Sequence, residues 1–158
     1  MSAKDRDLLT RELEKIATGA VKKGARMAGN AKLEKAVDAP GGTRKVREMA
    51  ESLSVEQYRE ECFLEESPEV VLQRVCTFFS EEGRILEDSE REDSLHPKIS
   101  GVVGAGFFGK NPAVLHAEIM EIREKGCVLC VTGGAKEGLI KQHTAQKAVQ
   151  KLLRFLTA

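Results

Sequence analysis

The stretch NPAVLHAEIMEIREKGCVLCVTGG, residues 111–134, decides the fold. Asn111-Pro112 at its start, Glu118 and Glu121 inside it and Gly126 beyond them are start, dipole and stop signals that suit a helix over 113–125. Leu115, Ala117 and Ile119, alternating with His116 and Glu118, suit a strand equally. A hairpin turning at Glu124-Lys125-Gly126 into a strand from Cys127 to Thr132 keeps consecutive elements adjacent and needs no parallel crossover. The hairpin is therefore favoured, and it makes the sheet antiparallel.

Working outward, Lys98–Val103 reads as a further strand and Gly104–Pro112 as a glycine-rich turn. Upstream, the spacing of Tyr58, Cys62 and Leu64 fits a half-buried strand. Ser67-Pro68-Glu69 then opens a helix, with a hydroxyl cap, a proline whose missing donor is harmless at the first position, and an acid at the positive end of the dipole. Val71, Val75 and Phe78 or Phe79 form its apolar stripe, Gly83 offers a left-handed stop, and Ile85-Leu86 open a strand. Downstream, Gly133–Gln142 reads as a second glycine-rich turn. Ala145, Val149, Leu152 and Leu156, spaced by four, three and four, mark an amphipathic helix that closes the chain. In the amino-terminal part, Leu9, Leu13, Ile16 and Ala20 predict a helix over about 4–28, and a shorter one is expected at 43–53. A flexible boundary is placed near 38–43, where Pro40-Gly41-Gly42 interrupts the pattern.

The fold class expected is α+β. An antiparallel sheet in β-α-β-β-β-α order packs on a long C-terminal helix over residues 43–158, and residues 1–42 precede it as a helical, partly flexible segment. This outline resembles helix-grip shapes, a likeness of form that implies a small apolar ligand held between sheet and terminal helix. The candidate ligand-binding side chains are then Val71, Val75, Val103, Val131, Val149 and Leu152.

Composition narrows the function classes. The 158 residues carry 25 Lys and Arg against 25 Asp and Glu, with one Tyr, six Phe and no Trp. So few rings argue against recognition of nucleic acid by base stacking. Lys22, Lys23, Arg26, Lys32 and Lys35 form only a modest basic cluster, so nucleic acid is not an expected partner. No apolar run approaches the roughly 20 residues of a membrane span, and the polar, acid-containing start MSAKDRDLLT is unlike a secretory leader, so a cytoplasmic protein is expected. Charge is segregated: residues 1–50 carry +5, residues 51–93 carry −10 and residues 94–158 carry +5. An acidic middle of this kind is either a solvated surface or the counterpart of a basic surface, on this chain or on a partner protein.

Motifs with chemical meaning are incomplete. Gly104-Ala-Gly-Phe-Phe-Gly-Lys110 has both glycines and the lysine of a phosphate loop, but Asn111 stands where a magnesium-binding hydroxyl belongs, and no acid follows on the next apolar strand. Read as GxGxxG, it lacks both a helix beginning inside the motif and an acid about 20 residues on. Lys110, together with Lys136 and Lys141 of the second glycine-rich turn, forms a candidate anion-binding set. Cys127 and Cys130 have CxxC spacing, and with Cys62 and Cys76 they make up the four thiols of a zinc site. Three residues along a strand, however, send the two sulfurs to opposite faces, and the sequence puts no cation beside them to stabilise a thiolate. His96, His116 and His143 share no metal spacing and have no nucleophile nearby in sequence. No catalytic residue, metal or cofactor is assigned. The expectation is a small non-enzymatic binding domain for an apolar ligand, with a partner protein engaged through the amino-terminal helix as the alternative and phosphate or nucleotide binding through Gly104–Lys110 as a lesser one.

Overall fold

The computed structural model describes residues 1–27, 35, 41–86, 96–105, 111–138 and 141–158. They form two compact units, Met1–Ser54 and Val55–Ala158.

The first unit pairs helix α1 (Ala3–Met27) with helix α2 (Arg44–Ser52). A reciprocal capping box starts α1: the Asp5 amide donates to Ser2 Oγ at 3.1 Å, and the Ser2 amide donates to Asp5 Oδ2 at 2.9 Å. Two orphan donors are thereby satisfied at once. Asp7 then pairs with Arg11 at 2.7 Å on its own helix and with Arg47 of α2 at 3.4 Å. Both helices lie where the sequence places them, and the unit runs to Ser54, so it includes α2. Residues 38–40 of the expected boundary lie outside the described residues.

The second unit runs β1 (Ser54–Leu64), α3 (Pro68–Glu82), β2 (Gly83–Ile85), β3 (Lys98–Ala105), β4 (Asn111–Arg123), β5 (Gly126–Glu137) and α4 (Thr144–Thr157). Its five strands form one antiparallel sheet in the order β1-β5-β4-β3-β2. The register sets Arg84 opposite Val102, Ser100 opposite His116, and Ala117 opposite Val131. Residues 113–125 are thus strand, hairpinned onto β5, and a bulge between Ile119 and Glu121 shifts the pairing near the turn.

Strand alternation explains the core. Ile99 and Val103 of β3, Ala113, Leu115, Ala117 and Ile119 of β4, and Cys127, Leu129, Val131 and Ala135 of β5 all join one buried cluster. Each is an every-second-residue position, so they share a sheet face. The same cluster takes Val71, Val75, Phe78 and Phe79 from α3 and Ala145, Val149, Leu152 and Leu156 from α4, so both helices cover that face. At the helix interface, the Phe78 and Phe155 rings lie 5.4 Å apart. Arg74 donates to the Phe155 carbonyl at 2.8 Å while holding both oxygens of Glu66 at 3.0 Å.

Four strands follow α3, one more than the expected β-α-β-β-β-α order allows, and three local expectations are corrected. Gly83 ends α3 in extended backbone (φ 177°), not in a left-handed stop, and begins β2 directly. Ser67 makes no hydroxyl cap to the α3 backbone. Gly133-Gly134 belongs to β5, which continues to Glu137, and not to a turn. The reason is proximity: a Cβ at Gly133 would stand 2.7 Å from Val149 Cγ2 and 3.0 Å from the Ala145 carbonyl oxygen. Glycine is used there to let α4 approach the sheet. Gly101 plays the same part under α3, where a Cβ would meet the Phe79 ring at 2.5 Å.

Candidate functional site

An open groove of about 380 Å³ lies beside α3 and the start of β3. Its apolar lining comes from Leu72, Cys76, Pro97 and Ile99, and its polar lining from Glu69, Gln73 and Lys98. The α3 residues 69, 72, 73 and 76 follow i, i+3, i+4, i+7 spacing and so form one stripe. Val71 and Val75, on the neighbouring stripe, are fully buried, whereas Leu72 and Cys76 are half-buried. The volume falls within the range of small-molecule pockets, about 300–1,000 Å³, and a mostly apolar wall with a few polar groups matches their usual make-up.

Glu69 is held in its charged form: its own backbone N–H and the Ser67 hydroxyl donate to the carboxylate and lower its pKa, against a smaller opposing effect of desolvation. Ile99 joins the helix-facing core while its neighbour Lys98 lies opposite Glu118 in the register. Alternation places Lys98 on the opposite sheet face from Ile99, although both residues line the groove.

The six side chains expected to contact ligand all lie in the buried cluster, none more than 3 % exposed. Of the candidate anion-binding lysines, Lys110 lies outside the described residues, Lys136 is buried at 5 % exposure and Lys141 is exposed. The amides at the start of α4 are occupied by carboxylates. Glu137 accepts from the Gln142 amide at 2.6 Å and the Thr144 amide at 2.9 Å, and Glu56 accepts from the Ala145 amide at 2.7 Å. Burial pushes the Glu137 carboxyl up, but the amide hydrogen bonds from Gln142 and Thr144, helped by the nearby Thr144 and Glu56 side chains, outweigh it and leave the pKa below the usual carboxylate value. His143, the residue before α4, is left-handed (φ 54°) and puts Nδ1 3.4 Å from Glu56 Oε1.

The CxxC pair divides between faces. Cys127 is in the helix-facing core and Cys130 is buried outside that cluster. Burial raises the pKa of Cys127, reinforced by the charges of Glu66 and Glu69. It likewise raises that of Cys62, reinforced by Cys127 and Glu60. Among the described residues, no three His, Cys, Asp or Glu side chains gather as metal ligands would.

Two associations escape a reading of the sequence. Arg59 of β1 lies beside the Cys130 thiol. Ser100 Oγ lies 2.7 Å from His116 Nδ1, so a hydroxyl does stand beside a histidine. Both arise from strand pairing, which local sequence does not reveal. No signal in the sequence separated the groove residues Leu72 and Cys76 from the buried Val71 and Val75.

No protein-family model, curated protein or solved structure matches the chain. No helix among the described residues is long and apolar enough to cross a membrane.

Proposed function

We propose that the unit Val55–Ala158 is a non-catalytic binding domain, a helix-grip-like holder whose small amphipathic ligand sits beside α3 rather than beneath α4. The observation that carries this reading is the open groove of about 380 Å³, with Leu72, Cys76, Pro97 and Ile99 as its apolar lining. The deeper valines expected to hold ligand then serve as the packed floor that keeps α3 in place.

The test is native mass spectrometry of the full chain, with a Leu72→Trp variant that fills the groove. A small organic molecule retained by the parent chain and lost from the variant, with the circular dichroism spectrum unchanged, is the expected result. A molecule retained equally by both would place the ligand elsewhere. A bare chain that also takes up no added amphiphile would refute the reading.

A second reading is favoured by the amino-terminal unit. Met49 of α2 is 68 % exposed and Met27 of α1 is 82 % exposed. Exposed, adaptable methionines suit contact with a partner protein. Deleting residues 1–53 without affecting capture of an identified partner would count against it.

A further inference from the structure

Resting on the groove reading above, we infer that the ligand is a small apolar molecule ending in an ammonium group, which Glu69 receives while the apolar tail lies along Leu72 and Ile99. The groove has two charged residues in its lining, and the fold treats them differently. Strand alternation places Lys98 on the opposite sheet face from Ile99. Glu69 shares the helical stripe of Leu72, Gln73 and Cys76, so its carboxylate belongs to the groove.

Charge complementarity then selects the ligand. A carboxylate-ended ligand would meet Glu69 as a like charge. An alcohol would gain the apolar contact alone. An ammonium gains a charge-assisted hydrogen bond in addition, with Gln73 able to accept a second N–H through its amide oxygen.

The experiment compares hexylammonium, hexanol and hexanoate by titration of the full chain, followed through methyl NMR signals of Leu72 and Ile99, with the parent protein and Glu69→Gln. Hexylammonium is expected to bind at least about fivefold tighter than hexanol, with hexanoate weakest, and Glu69→Gln should bring hexylammonium to the level of hexanol while leaving hexanol unchanged. Hexanoate binding as tightly as hexylammonium, or a preference that survives Glu69→Gln, would overturn the inference while leaving the groove reading intact. If none of the three shifts those signals, the groove reading fails, and this inference fails with it.

Discussion

Glu56 and Glu137, on neighbouring strands β1 and β5, cap the same helix: Glu137 Oε1 accepts the Thr144 amide at 2.9 Å and Glu56 Oε2 accepts the next amide, that of Ala145, at 2.7 Å. The residue before α4, His143, provides no side-chain cap. The sheet therefore does what a local Ser or Asp usually does, and it fixes where α4 begins.

This arrangement predicts acid sensitivity. The folded-state pKa of Glu137 is lowered, so its stabilising contribution is fully present above the unfolded value of about 4.3 and is lost as pH falls through the lower folded value. Glu137→Gln should cost about 1.5–3 kcal/mol near neutral pH, because charge-assisted hydrogen bonds to buried amides become neutral ones. The loss should shrink as pH drops from about 4.3 through the lower folded value, where the parent loses the same charge. Urea midpoints across that pH range check it. A cost that did not diminish in acid would mean that the side chain acts by packing.

Gly133 carries a second prediction. Gly133→Ala places a methyl 2.7 Å from Val149 Cγ2 and 3.0 Å from the Ala145 carbonyl oxygen. One of those neighbours is helix backbone, so α4 must shift, at a cost of about 1–3 kcal/mol. Gly138→Ala, with nothing within 4 Å of the added carbon, is the matched control and should be nearly neutral. Chemical denaturation of both variants separates them.

Much of this architecture was legible because it follows local periodicity. The 3.6-residue spacing of Val71, Val75 and Phe78, and of Ala145, Val149, Leu152 and Leu156, specified two helices that pack as expected. Gly133-Gly134 misled, since glycine marks turns and close packing alike, and only the position of Val149 distinguishes them. The groove depended on which α3 stripe stays half-buried beside the start of β3. Leu72 and Cys76 look no different in sequence from Val71 and Val75. Associations across the sheet, such as Arg59 with Cys130, need the strand register, which no local pattern encodes.

Ser100 and His116 occupy directly opposed positions on β3 and β4, and their 2.7 Å hydrogen bond joins strands rather than building a reactive pair. Ser100 is only 6 % exposed, too buried for an incoming substrate to reach its hydroxyl. A fluorophosphonate probe should therefore leave Ser100 unlabelled in the folded protein. Ser100→Ala should lower stability by about 1–2 kcal/mol through loss of the hydrogen bond. Stoichiometric labelling of Ser100, abolished by His116→Ala, would reverse this assignment and make the pair a nucleophile and its base.

Thiol reactivity provides a test of the core and the groove together. Cys127 is fully buried and its pKa is raised by burial, so the reactive thiolate is both scarce and inaccessible. Cys62 is half-buried with its pKa raised by the same cause, and it should react slowly at neutral pH and faster as pH rises. Cys76 lines the open groove and should be the first thiol modified by a small apolar maleimide such as N-ethylmaleimide. Peptide mapping after brief labelling should show the order Cys76, Cys62, Cys127, with Cys127 modified only in denaturant. Because a ligand in the groove covers Cys76 and leaves Cys62 untouched, hexylammonium should slow the first reaction alone. Equal protection of both thiols would indicate a general tightening of the fold, and no protection of either would place the ligand outside the groove.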